Sequence, residues 1–195
     1  TEPVDEFPIQ TAIKKELTKL LIMPGSYHIN KDYSVDVYRS VSLFGSGYKK
    51  IPFKFGTING DFECFALQLE TLEGCPDRVD GKFDCHGNFL KNLIGGPSYV
   101  GGDYICTHNH LNSLEGCPEE IYGNLHIGYN RLKTLDNCPI EVKGNLDCVS
   151  NELTKLDTVS NIDGNIYCMN NNIDPNDNGF MGWCGGEIKY NFKNS

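Results

Sequence analysis

Apolar residues recur along this chain at fixed offsets from a row of glycines. Gly60, Gly81, Gly102, Gly123 and Gly144 stand 21 residues apart, and Gly164 follows after 20. Two positions before each glycine is Ile58, Val79, Val100, Ile121, Val142 or Ile162, and two positions after it is Phe62, Phe83, Tyr104, Leu125, Leu146 or Ile166. Four after come Cys64, Cys85, Cys106, Ile127, Cys148 and Cys168. The apolar alternation after the glycine predicts a short strand with one buried face. Further on stand Asn88, Asn109, Asn130, Asn151 and Asn171, then a leucine row from Leu69 to Leu153, a second from Leu72 to Leu156, and Pro76, Pro97, Pro118 and Pro139.

Each position has a physical role. The asparagine turns the chain inward, and its amide can satisfy backbone groups that burial would leave unpaired. The leucines pack beneath the strand, proline ends the segment because it donates no backbone bond, and glycine suits a tight return to the next strand. One such unit cannot bury its apolar face alone, whereas stacked units share a core. Leu67 stands where the first asparagine is expected, and the repeat after Gly144 lacks its proline.

The ends of the array read as caps. Ile9, Ile13, Leu17, Leu20 and Leu21 keep helical spacing over Pro8 to Met23, with Pro24-Gly25 as the stop. Tyr27 to Asn30 and Ser34 to Tyr38 read as a hairpin, and Val41, Leu43, Tyr48 and Ile51 as a degenerate first repeat beginning at Arg39. Gly186-x-Ile188-x-Tyr190 repeats the strand pattern near the other end, with Trp183 expected to pack nearby. The expected organisation is one solenoid domain over 1–195, with a cap at 1–38, repeats at 39–173 and a second cap at 174–195.

The stretch Leu111-x-x-Leu114-x-x-x-Pro118-x-x-Ile121-x-x-x-Leu125-x-Ile127-x-x-Asn130 resembles the leucine-rich repeat, in the short form found in bacterial type III effectors. Ile51-Pro52-Phe53-Lys54-Phe55-Gly56-x-Ile58-x-Gly60-Asp61-Phe62-x-Cys64 is also similar to repeat proteins of tailed phages. The resemblance implies an α/β solenoid, right-handed and curved, with a parallel sheet of about eight strands on its concave face. At roughly 4.8 Å per strand that face runs about 35 to 40 Å. It implies binding rather than catalysis, since this fold serves many recognition roles.

Charge narrows the partner. A net charge of -9 disfavours nucleic acid and anionic lipid and favours a protein with a basic surface. The absence of a long apolar run argues against a membrane span. Eight of the nine cysteines occupy the repeat's buried positions, including Cys75, Cys117 and Cys138 in Cys-Pro pairs. They read as small hydrophobes in a reducing, cytoplasmic setting, that of a bacterial host cell if the chain is phage-encoded. The chain is expected to be monomeric on its own.

Asp174-x-Asn176-x-Asn178-Gly179 matches half a calcium loop but has Gly185 at its twelfth position, so a polar turn is expected. Cys85-His86 and Cys106-x-His108-x-His110 suggest zinc, but the cysteines are expected to point into the core while His86 and His108 lie at the surface or at the strand end, so buried thiols are expected instead. There is no nucleophile elbow and no phosphate loop, and neither a cofactor nor an activity is expected. Side chains alternating with the buried ones form the expected binding face: Phe65, Asp84, His86, Asp103, Ile105, Thr107, His126, Asp147, Tyr167 and Met169, with Tyr129 at its edge. The leading expectation is a protein-binding module, one version being a phage-encoded inhibitor of a bacterial defence enzyme or toxin. The alternatives are an effector acting on a eukaryotic host protein, and a hydrolase using Asp84, Asp103 and Asp147, read as solvated acids.

Overall fold

A computed structural model describes residues 7–176 and 178–190. One helix, α1 (Phe7–Lys19), precedes seventeen short strands among the described residues. In chain order these are β1 (Tyr27–Ile29), β2 (Val35–Val37), β3 (Val41–Ser42), β4 (Phe55–Ile58), β5 (Phe62–Glu63), β6 (Arg78–Val79), β7 (Phe83–Asp84), β8 (Tyr99–Val100) and β9 (Tyr104–Ile105). There follow β10 (Glu120–Ile121), β11 (Leu125–His126), β12 (Glu141–Val142), β13 (Leu146–Asp147), β14 (Asn161–Ile162), β15 (Ile166–Tyr167), β16 (Trp183–Cys184) and β17 (Ile188–Lys189).

The strands stack as a solenoid, with each turn pairing in parallel with the next. Phe62, Phe83, Tyr104, Leu125, Leu146, Ile166 and Ile188 are successive register partners. The predicted sheet after the glycines is present as eight strands, β3 to β17 by odd numbers. A second sheet of nine strands, β1-β2-β4-β6-β8-β10-β12-β14-β16, accompanies it. The single-sheet α/β description is therefore corrected: each repeat carries two strands, and the only helix described lies ahead of the repeats. The residues just before each glycine are extended too, and they bond the neighbouring turn through pairs such as Gly101 N to Val79 O at 2.9 Å.

The core is one continuous cluster from Ile13 to Cys168. Its widest layer is a column of rings, with Phe55 and Phe62 5.1 Å apart, Phe62 and Phe83 6.1 Å, and Phe83 and Tyr104 5.0 Å. Cys64, Cys85, Cys106, Cys148 and Cys168 are buried free thiols on the same side as these rings. Burial pushes the Cys85 and Cys106 thiols well up and Cys168 up to about 12, so none is a ready nucleophile.

Between turns, the asparagine row does what its spacing implies. Asn88 Oδ1 accepts from the backbone of Leu67 and Leu69, both at 3.0 Å, while its Nδ2 donates to the carbonyls of Cys64 and Cys85, both at 2.9 Å. Asn109, Asn130, Asn151 and Asn171 repeat the arrangement one turn later each time. The residue before each asparagine is left-handed: His108, Tyr129, Ser150 and Asn170 have φ of 54°, 56°, 53° and 56°. That backbone bend swings the asparagine from the sheet into the core. The repeat glycines answer a different need. A Cβ on Gly123 would lie 2.6 Å from the Gly102 carbonyl carbon, so only glycine lets the turns approach this closely.

At the capped end, α1 stops at Lys19 rather than at Met23. Leu21 takes a left-handed φ of 56°, with its N–H on Thr18 O at 3.0 Å and that of Ile22 on Leu17 O at 2.9 Å. This is a Schellman closure with leucine in the usual glycine place, and Leu17 and Ile22 are both buried beside it. The hairpin forms as expected, Tyr27 opposite Val37. At the far end β17 pairs with β15, but Trp183 is 56 % exposed rather than packed. The turn at 174–179 is polar, with Asn176 N on Asp174 Oδ1 at 2.9 Å; its residue 177 lies outside the described residues.

The two kinds of buried polar group make opposite predictions. Asn130→Ala leaves a backbone N–H and up to three carbonyls short of a partner, and is expected to cost about 1 to 3 kcal/mol per group left unsatisfied. The Tyr104 hydroxyl is buried with no partner, so Tyr104→Phe is expected to stabilise by about 1 kcal/mol. Urea unfolding of both variants checks the pair: a destabilised Tyr104→Phe or an unchanged Asn130→Ala contradicts the packing described.

Candidate functional site

The outward side chains of the sheet from β3 to β17 stand in three rows, at one, three and five residues after the glycines. The first row is largely occupied with holding the turns together. Asp61 Oδ1 accepts from Lys82 N at 2.8 Å, and Asp103 Oδ1 from Asn124 N at 2.7 Å and Asn124 Nδ2 at 3.0 Å. Asn124, Asn145 and Asn165 pass the same bond on, to Asn145 N, Asn165 N and Glu187 N, each at 2.8 Å. Asp103 therefore differs from the solvated acid expected of it: one carboxylate oxygen is taken by a backbone N–H of the next turn.

The second row carries Glu63, Asp84, Ile105, His126, Asp147, Tyr167 and Lys189, most of them half-buried. Asp84 departs from expectation, because it is only 6 % exposed. It is covered by its neighbours: His86 Nδ1 lies 2.7 Å from Oδ1, His86 N donates to the same oxygen at 3.2 Å, and Lys82 Nζ stands 3.8 Å from Oδ2. Lys82 in turn reaches Glu63 at 2.9 Å. His126 Nδ1 is 3.6 Å from Asp147 Oδ2, and Lys189 Nζ lies 5.4 Å above the Tyr167 ring. The third row opens with a stack of exposed and half-buried rings: Phe44 on Phe65, then Phe65 on His86, at 4.7 Å in both cases. Thr107 and Met169 continue it as half-buried side chains. At the rim, Tyr129 is 51 % exposed and stacks on His108 at 4.3 Å, both turned outward by their left-handed backbone.

All eleven side chains expected on this face stand in or beside its rows, but they do not play one role. Phe65, His86, Ile105, Thr107, His126, Asp147, Tyr167 and Met169 leave surface available, and Tyr129 more so, while Asp84 and Asp103 are tied into the fold. Phe44 also belongs to the ring stack, and the degenerate first repeat hides its register in the sequence. Cys85 and Cys106 lie in the core, while His86 points out by strand alternation and His108 by its left-handed φ of 54°, so the thiols and the imidazoles stand apart. Among the described residues no group of three or more His, Cys, Asp or Glu side chains is placed to hold a metal ion. No helix among them is long and apolar enough to cross a membrane. No family model, curated protein or solved structure matches the chain.

Asp147 holds the His126 pKa above its ordinary value, against the opposing effect of partial burial, with Asp103 and Asp84 adding to the rise. A raised folded-state pKa means that the pairing stabilises fully below the unfolded-state value of about 6.5 and is lost as pH rises through the folded value. The unfolding midpoint of the parent relative to His126→Gln is therefore expected to be highest near pH 5.5 and to fall toward zero difference above pH 8. A difference that grows with pH contradicts the pairing.

Proposed function

We propose that the chain is a non-catalytic binding module that recognises a protein partner through the outward face of the β3 to β17 sheet. The observation that carries this reading is the Phe44–Phe65–His86 stack toward one end of the face, continued by Ile105 on the next turn and by Tyr167 three turns beyond it, with Glu63 and Asp147 among them. Half-exposed rings bordered by charge give a contact patch an apolar centre and a polar rim. Two ladders already hold the turns in place, so most side chains of the second and third rows, Asp84 excepted, keep surface available for recognition. The acidic border favours a partner with a basic surface, whose approach it steers.

The finer assignments rest on resemblance. Leucine-rich-repeat spacing and likeness to phage repeat proteins support an inhibitor of a bacterial defence enzyme or toxin, acting in the host cytoplasm, and the effector-like spacing supports a eukaryotic host target instead. A hydrolytic reading rests on one contact, the 2.7 Å pair of Asp84 with His86, where a buried carboxylate orients an exposed imidazole. Loss of any measured hydrolysis in His86→Ala supports that reading.

A partner recovered from bacterial lysate and purified allows the direct test. Above pH 8, where the His126–Asp147 pairing no longer contributes to stability, Ile105→Glu, Tyr167→Ala and Asp147→Lys are each expected to weaken binding about tenfold or more at unchanged thermal midpoint, with Asp147→Lys acting mainly on the association rate. The rate for the parent is expected to fall as salt is raised. Three variants that bind like the parent remove this face from the function.

A further inference from the structure

The chain's charge is segregated along its length. Residues 7–54 hold eight Lys and Arg against three acidic side chains, whereas residues 55–190 hold eight against twenty. Five of the basic residues, Lys15, Lys19, Lys49, Lys50 and Lys54, line one groove of about 1190 Å³ between α1 and the first turns of the solenoid. Its walls are apolar and aromatic, from Ile9, Ile13, Tyr33, Ile51 and Phe53. None of these residues belongs to the outward rows of the sheet.

Within the groove the charges are unbalanced. Lys19 is paired with Glu16 at 2.7 Å and Lys54 with Asp77 at 2.6 Å. Glu16 is further engaged by the Tyr48 hydroxyl, which ties its carboxylate on two sides. Asp32 accepts from Ser34 Oγ and N at 2.7 and 3.1 Å, so it too faces its own turn. Lys15, Lys49 and Lys50 form no ion pair within 4 Å among the described residues, and all three are exposed. Exposed ammonium groups around an apolar floor repel one another until an anion arrives.

We propose that this groove docks an acidic polypeptide segment of a partner protein, with one or two apolar side chains set against Ile51 and Phe53 and its carboxylates beside Lys15, Lys49 and Lys50. The shape of the charge favours a peptide over a nucleic acid. The groove runs on into a second hollow that shares Lys49, Lys50, Ile51, Phe53 and Lys54 and adds Glu70 and Glu73. A strand with a phosphate at every step meets those carboxylates and then the acidic body of the solenoid. A polypeptide acidic at one end does not, and its apolar residues use a floor that phosphates cannot.

The test needs no partner. A displayed library of random peptides about 12 residues long is selected on the intact protein, and one enriched peptide is synthesised. Enrichment of Asp and Glu flanking Leu, Phe or Trp is expected. The binding of that peptide is expected to weaken about tenfold or more in Lys49→Glu/Lys50→Glu and in high salt, at unchanged thermal midpoint. Asp147→Lys and Tyr167→Ala leave it unchanged, which keeps the result separate from the sheet-face reading. The proposal is overturned by a selection without acidic enrichment, by peptides that bind the double variant equally well, or by lysine-dependent binding of oligothymidylate or phosphatidylserine vesicles in place of peptides.

Discussion

Asn88, Asn109, Asn130, Asn151 and Asn171 each place a side-chain amide between two successive turns, where the chain leaves the sheet and its backbone groups have no strand to pair with. One amide supplies both an acceptor and donors there, so the bend's backbone groups are paired and the leucines below it can be buried completely. The ring column, the thiol row and the two leucine rows all lie beneath that paired bend. A left-handed residue just ahead of the asparagine is the local cost, accepted even where it is His108 or Tyr129 rather than glycine.

The same requirement sorts the surface. The Asp and Asn side chains just after the glycines form a second ladder, bonding turn to turn along the outside. Polar residues on an outward strand position are thus not equivalent: this row ties turn to turn, whereas the rows at three and five residues, Asp84 excepted, leave side-chain surface uncovered. The division explains how a face built from two-residue strands can present rings and carboxylates at fixed spacing. Position there is set by the ladders on either side, not by the length of the strand.

Much of this was legible in the residues because a period repeated across six glycines leaves little freedom. The asparagine role, the buried cysteines, the hairpin and the outward rows all follow from spacing alone. The second sheet did not, because a two-residue strand such as Arg78–Val79 offers one apolar position and no alternation to detect. The early end of α1 was hidden by Leu21, which does a glycine's work without a glycine's signal. Asp84 departs from the solvated acid expected because its carboxylate is covered by the side chains two residues either side of it, Lys82 and His86, which strand alternation alone does not reveal. The lysine groove had a signal that a net charge conceals, the sign change between residues 7–54 and residues 55–190.

Native-state hydrogen exchange measures the asparagine ladder without disturbing it. The N–H groups of Leu90, Leu111, Leu132 and Leu153 bond to a side-chain amide oxygen, whereas those of Phe83, Tyr104 and Leu125 bond to backbone carbonyls of the next turn. If the ladder holds the turns, the two sets exchange only through the same cooperative opening and show protection factors within about tenfold of each other. Leucine amides that exchange orders of magnitude faster than the strand amides contradict it, and with it the claim that the asparagines, rather than the strands alone, keep the outward rows in position.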